Sequence, residues 1–284
     1  MSVLNILRLF WKIPFLEKLL VNMTIGKEFG KAITKFPPNH YQYKTGTIRR
    51  VERDGIQYEL DLSDLVDWYI YFGFKEPSRM ILYKLVKDGS IIMDIGANVG
   101  DISMHFAQYT GDKGQVHSFE PDPTNFSRIT KNLSLNNFKN IQLNNVGLGS
   151  QQAHLKMIVR DEHNRGMNQL VKEKVKEGEI GIEIIKLDDY IAAKGIIHID
   201  LIKIDVEGFD FEVLNGASNT LDTIKPDLFI ELDDRCLKKQ GSSARELVAF
   251  LNSKSYLIEH AETAEKISTG MDFTNCHYDI IAKI

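Results

Sequence analysis

Acidic residues and glycines stand where short apolar runs end in this 284-residue chain, and both residue types can grip a polar ligand. Asp94 follows Ile91-Ile92-Met93, with Gly96 and Gly100 just beyond it. Glu120, Asn145, Asp205, Glu207 and Glu231 close further runs. A carboxylate in the middle of a buried strand is costly, whereas at a strand end it can face a ligand. In α/β sheets the ligand crevice lies at those carboxyl ends, near the switch in strand order. Convergence of the whole set on one crevice is therefore a stronger signal than any single motif.

The stretch Ile91 to Ala107 reads as strand, glycine turn and helix. A triphosphate-binding loop needs G-x-x-x-x-G-K-[ST], but Asp101 follows Gly100 where the Lys would stand. A dinucleotide turn prefers G-x-G-x-x-G, and this turn is Gly96-Ala97-Asn98-Val99-Gly100. Asp94, just ahead of the loop, is a poor neighbour for a phosphate at a helix N-terminus. It suits an ammonium or a sulfonium, or it ties down the loop amides; the two roles can coexist. Glu120, one strand later, can accept hydrogen bonds from ribose hydroxyls, unless it is only a surface carboxylate before Pro121. A nucleoside with a ribose, a positive head and no phosphate is S-adenosylmethionine.

The elements that position these residues follow from the rhythm of the chain. From Ile91 onward buried runs alternate with helical patterns, which implies a parallel sheet wound on both faces. The segments YLIEHA and CHYDIIAKI close the chain as two strands, an antiparallel edge. Within this stretch Ile141 to Gly149 reads as one strand, IEIIKLDDYI as a strand and DFEVLNGASNTLDTI as a helix. The polar excursion Arg160 to Leu170 reads as a loop near the site, with His163, Asn164 and Asn168 as candidates to touch hydroxyls. KEKVKEGE, beyond it, reads as a solvated helix face.

Upstream, Asp54-Gly55 between alternating segments signals a β-hairpin. Val3 to Val21 is rich in Leu, Ile, Phe and Trp, but Arg8, Lys12, Glu17 and Lys18 interrupt it and Pro14 divides it. That excludes a membrane span and leaves two readings: a helical cap on the domain or on a second subunit, making a homodimer, or an interfacial helix at a membrane surface. The net charge of -4 argues against generic duplex-DNA binding. Cys236 and Cys276 are the only cysteines and lack metal-ligand spacing, so a reduced, cytoplasmic protein is expected, with membrane association where the interfacial reading holds.

MDIGANVG, HSFEPDPTNF, KLDDY and above all LIKIDVEGFDFEVLNGA resemble the FkbM family of S-adenosylmethionine-dependent methyltransferases, over roughly Gly73 to Ile284. The resemblance implies a class I methyltransferase, Rossmann-like α/β fold: a mostly parallel seven-stranded sheet whose last strand is antiparallel. Residues 1–72, a helical segment, linker and β-hairpin extension, precede a methyltransferase domain at 73–284. By the same resemblance Asp94, Gly96, Ala97, Asn98 and Gly100 hold the methionine part of the cofactor. Glu120 takes the ribose; Pro121 and Asp122 shape the adenine side, and Asn145 and Val146 border it. Asp205 and Glu207 sit beside the sulfonium and the acceptor.

An alcohol acceptor benefits from a base that removes its proton. Asp205 is the candidate, assisted by Glu207 or Glu231; His163 is a further one. Alternatively, Asp205 and Glu207 only hold the cofactor or the strand end. No third ligand joins Asp205 and Glu231, so no metal is expected. The acceptor is a small molecule or glycan: a hydroxyl on a sugar, glycolipid or polysaccharide precursor, or a secondary metabolite. Other readings are a protein or nucleic-acid acceptor, for which the N-P-P-Y type motif of amino-nitrogen methylation is missing, and a non-catalytic cofactor-binding module. No nucleic-acid partner is expected.

Overall fold

A computed structural model of the chain describes residues 3–171 and 175–284. Its elements begin with α1 (Val3–Phe10) and α2 (Pro14–Thr24), then the hairpin β1 (Ile48–Arg53) and β2 (Ile56–Asp61), α3 (Leu65–Phe72) and α4 (Pro77–Lys84). The alternating part follows as β3 (Ile91–Ile95), α5 (Asp101–Thr110), β4 (Gln115–Phe119), α6 (Pro123–Ser134) and β5 (Ile141–Asn144). Next come β6 (Gly147–Leu148), β7 (Ala153–Ile158), β8 (Gln169–Val171), β9 (Gly181–Ile185) and α7 (Leu187–Lys194). The chain ends with β10 (Leu201–Ile204), α8 (Asp210–Gly216), α9 (Ser218–Thr223), β11 (Asp227–Asp233), α10 (Asp234–Lys239), α11 (Ala244–Ser253), β12 (Leu257–His260) and β13 (His277–Lys283).

Seven strands form the central sheet in the order β12-β13-β11-β10-β3-β4-β5. β11, β10, β3, β4 and β5 run parallel, and β13 is antiparallel to both β11 and β12. This is the class I methyltransferase sheet expected above. The apolar residues of β3 and β10 face helices on both sides of the sheet and are buried, as a doubly covered parallel sheet requires. Strand order reverses between β3 and β10, so the loops after β3, β4, β10 and β11 open onto one crevice.

Three local expectations differ. Ile141 to Gly149 is not one strand: β5 ends at Asn144, and β6 joins a separate four-stranded sheet ordered β6-β9-β7-β8. The Asn145 side chain donates to the carbonyls of Glu120 (2.8 Å) and Pro121 (3.2 Å), and these bonds turn the chain out of the central ladder. Leu187 to Lys194 is helical rather than a continuation of β9. Asp188 and Asp189 lie in its first turn, where carboxylates favour a helix N-terminus, and Leu187, Tyr190 and Ile191 bury one face. The helix from Asp210 breaks at Ala217. Gly216 lies so close to the Gly149 carbonyl that a β-carbon would sit 2.0 Å from its oxygen, and Asp188 caps α9 by accepting from Asn219 and Thr220 N–H, both at 2.9 Å. Part of KEKVKEGE, residues 172–174, lies outside the described residues.

The hairpin turns at Asp54 and Gly55, both with positive φ (50° and 82°), the conformation that two-residue hairpin loops demand. The extension packs through β2 onto α6, where Asn132 and Asn136 accept the Glu59 and Gln57 N–H groups. α2 buries Leu20, Val21 and Thr24 against α3 and the hairpin. At the centre is the buried carboxylate Glu17, which accepts from Arg49 Nε and the Tyr71 hydroxyl, both at 2.8 Å. The outer face of α1 and α2 leaves Ile6, Phe10, Ile13, Phe15 and Leu19 exposed. No helix among the described residues is long and apolar enough to cross a membrane.

Glu17→Ala strands Arg49 and the Tyr71 hydroxyl. Arg49 is a third exposed and regains water, so the cost is mainly that of the unsatisfied Tyr71 hydroxyl, about 1–2 kcal/mol. The expected outcome is a drop of that size in unfolding free energy, read from the urea midpoint at unchanged slope.

Candidate active site

One cavity opens at the switch point. Its floor is the loop from Ile95 to Val99, its walls the segments after β4 and β10 together with Glu231 of β11, and its roof Asn164 to Asn168 of the excursion. Val66 and Arg79 of the preceding segments also face it.

The floor is built by close backbone contact. Gly96 has φ 84°, and a β-carbon there would lie 2.0 Å from the Asp205 carbonyl oxygen. Its N–H and that of Ala97 both donate to the Phe119 carbonyl at 3.0 Å. Asn98 also adopts a left-handed conformation (φ 51°). Its N–H donates to Glu120 Oε2 at 2.7 Å, while its side-chain Oδ1 is buried with no donor among the described residues. Glu120 Oε1 accepts from the Asp122 N–H at 2.8 Å, so one carboxyl clasps both loops. Burial pushes the Glu120 pKa up to about 8, against the pull of those two backbone bonds.

Beneath the floor lies Lys203, 3% exposed in the middle of β10. It donates to the Gly96 carbonyl at 2.9 Å and lies 3.4 Å from Asp94 and 3.6 Å from Asp205. Burial alone would lower its pKa, but Asp205 and Asp94 outweigh burial and raise it. Asp94 is fully buried, accepts from the Ser103 hydroxyl and does not line the cavity. Its contacts are with Lys203 and with Ser103 of α5, not with the loop amides. Gly100 also faces away: a β-carbon there would meet Ile129 of α6 at 2.4 Å. Asn145 lies behind the wall, while Val146, Pro121 and Asp122 line it.

At the other end stand Asp205, Glu207 and Glu231. Glu207 has φ 54°, a left-handed backbone of the kind found at functional sites. The next residue, Gly208 (φ 92°), could bear no β-carbon, which would lie 2.3 Å from the Cys236 carbonyl oxygen. Burial pushes the Glu207 pKa up to about 7, reinforced by Asp205, Asp210 and Asp233. Burial also pushes Glu231 up to about 10, with Asp205, Asp210, Glu207 and Asp279 adding to it.

His163 does not join them. It is absent from the cavity wall; its Nδ1 lies 3.1 Å from the Ser63 carbonyl, and its own carbonyl accepts the Leu65 N–H at 2.8 Å. The excursion instead contributes Arg165 and Asn168. Arg165 grips Asp122 with two nitrogens at 2.8 to 3.1 Å, and Asn168 Nδ2 donates to the same carboxylate at 2.6 Å. Among the described residues no group of three His, Cys, Asp or Glu is arranged to hold a metal ion.

Lys203, Arg79 and Arg165 escaped sequence reasoning. A lone Lys inside the apolar run Leu201 to Ile204 was a readable signal. Nothing local marks Arg79 or Arg165.

The cavity fits a nucleoside with a cationic head. Its glycine floor admits close approach, Glu120 offers acceptors, and the partnerless Asn98 Oδ1 awaits a donor. Fold and cavity together define a class I, S-adenosylmethionine-dependent methyltransferase. A family model described as the methyltransferase FkbM domain matches residues 94–258, and the chain belongs to that family. It is 27% identical over 152 residues to the hexuronic acid methyltransferase AglP of Haloferax volcanii, covering 54% of this chain and 59% of that protein. It is 26% identical over 201 residues to the 2-O-methyltransferase NoeI of Sinorhizobium fredii, covering 64% and 81%. A crystal structure of an FkbM methyltransferase from Methylobacillus flagellatus aligns over 96% of this chain and 60% of that one, at 14% identity and a TM-score of 0.47.

Gly96→Ala forces the Asp205 carbonyl and the floor apart. Binding of S-adenosylhomocysteine, followed by calorimetry, is expected to weaken by at least about tenfold, ~1.4 kcal/mol. Gly100→Ala, whose new methyl meets only Ile129, should lower thermal stability while shifting that affinity far less.

Proposed function

We propose that the chain methylates a hydroxyl of a sugar, a glycolipid or polysaccharide precursor, or a secondary metabolite. The observation that carries this reading is the carboxyl group of Glu207, which faces the cavity with a pKa near 7. A group of that pKa can take an alcohol proton at neutral pH. The names of AglP and NoeI, a hexuronic acid and a 2-O position, point the same way. The cofactor, held by the glycine floor, Glu120 and the segment 121–122, supplies an electrophilic methyl group. The rest is alignment and proton handling by the chain. Glu207 removes the hydroxyl proton, and Asp205, beside Lys203, positions the acceptor. Glu231 is protonated at neutral pH and donates a hydrogen bond.

The exposed apolar face of α1 and α2 is read as a peripheral membrane contact through residues 3–21. The first 36 residues hold six basic and two acidic side chains, a local positive excess in a chain of net charge -4, which suits an anionic lipid surface. Sedimentation with phosphatidylserine vesicles is expected to fall sharply on Phe10→Asp with Phe15→Asp. If neither form sediments and gel filtration shows a dimer that the pair of changes splits, the face meets a second copy instead.

For the base, turnover should rise with pH through about 7 as Glu207 loses its proton. Glu207→Gln is expected to remove that limb and lower kcat by about 10²-fold at unchanged S-adenosylhomocysteine affinity. If the limb survives in Glu207→Gln and disappears in Asp205→Asn, Asp205 is the base.

A further inference from the structure

The charges that line the cavity do not balance, and the imbalance lies at one end. Three basic side chains face it: Arg79, Arg165 and Lys203. Each is already matched within the chain. Arg79 pairs with Glu76 at 2.6 Å and Asp101 at 2.7 Å. Arg165 is held by Asp122 at 2.8 Å. Lys203 lies between Asp94 and Asp205. Glu207 and Glu231 have no such partner. The Glu207 carboxyl has the Cys236 thiol at 4.0 Å. Glu231 has only the ring of His277 at 3.8 Å, itself closer to Asp233 at 3.0 Å. Asp279 stands directly across the strand pair from Glu231, and Asp210 is buried behind Glu207, accepting from the Val206 and Gly208 N–H groups.

We propose that Glu207, in the ionised form that accepts the hydroxyl proton, sets acceptor selectivity by charge: the site takes a neutral or amino-bearing sugar and turns away one that carries a carboxylate. This rests on the reading of the acceptor as a sugar hydroxyl. A uronate entering here would shed its water beside the Glu207 carboxylate and meet no uncommitted cation among the described residues. A hydroxyl or an ammonium would instead donate to that carboxylate, whose neighbour is the Cys236 thiol at 4.0 Å. Selectivity built from a repulsive element is the usual way to separate ligands of one shape. The relative named for a hexuronic acid would then differ from this chain in acceptor charge while sharing its methyl donor.

The test uses the full chain loaded with S-adenosylhomocysteine for binding, and with S-adenosylmethionine for turnover. The probes are the glucoside, the 2-amino-2-deoxyglucoside and the glucuronide of one aglycone, followed by competition binding and by mass spectrometry of product. The glucuronide is expected to bind and react at least about tenfold more weakly than the glucoside, ~1.4 kcal/mol. Glu207→Gln should narrow that gap at least threefold in binding, which does not depend on its catalytic role. A glucuronide handled as well as the glucoside, or a gap unchanged in Glu207→Gln, overturns the charge selectivity and leaves the sugar reading standing. If none of the three glycosides binds or is methylated, the sugar reading fails and the selectivity with it.

Discussion

A single buried ammonium holds the active end of this sheet together. Lys203 sits where β10 meets β3, the point at which strand order reverses. An unpaired cation there would be untenable. It is matched by the fully buried Asp94 on the neighbouring strand, and its remaining hydrogens go to the carbonyls of Gly96 and Ile95. Carbonyl oxygens that would otherwise point from a tight turn into an apolar core therefore have a donor. The turn can take the left-handed conformations at Gly96 and Asn98, and the Asp205 carbonyl can approach Gly96 to a distance only a glycine permits. Cofactor floor and acceptor wall are two sides of that one contact.

Much of this was legible in the sequence. The alternation of apolar runs with helical patterns fixes a parallel sheet, because buried strands on both faces leave few other solutions. Acids at strand ends mark the crevice, since charge is tolerable there and hardly anywhere else. Asp94, however, does its work by charge pairing below the loop. A lone carboxylate in sequence looks the same whether its partner is a ligand or a lysine more than a hundred residues away. Arg165 was illegible for the same reason: its partner Asp122 is the N-cap of α6, 43 residues away in the chain. Leu187 to Lys194 shows the converse. Its apolar content fits strand or helix equally, and what decides is Asp188, whose carboxylate is committed to capping α9.

The acidic end of the cavity is a place where stability is given up. Glu207, Asp210 and Glu231 each have a pKa raised by burial and by their acidic neighbours. The folded state favours the protonated form of each, so their contribution is full below the ordinary carboxyl pKa and is eroded as pH rises from there, through about 7 for Glu207 and Asp210 and up to about 10 for Glu231. Asp210 holds the turn after β10 through the Val206 and Gly208 N–H groups, but Glu207 and Glu231 serve no such bond, and amides in their place would avoid the penalty. Groups held at such values in a cavity, on a left-handed backbone at Glu207, are the signature of a site shaped by chemistry rather than by packing.

The N-terminal extension belongs to this chemistry as well, by a mechanical route. Asp64 caps α3 by accepting from the Val66 and Asp67 N–H groups. The same residue pairs with Arg128 of α6 at 3.3 Å and accepts the Arg165 N–H at 3.4 Å. The Leu65 N–H and the Ser63 carbonyl engage His163. The roof of the cavity is thus anchored at one end to the extension and, through the Arg165 fork, at the other to Asp122 beside the cofactor loops. A roof with two anchors cannot lift without breaking the Arg165–Asp122 pair or the Leu65–His163 backbone bond and the side-chain contacts beside it. The helix that supplies the first anchor, α3, rests on α2 and the Glu17 cluster. The exposed apolar face of α1 and α2 therefore lies one layer of packed helices away from the roof of the cavity.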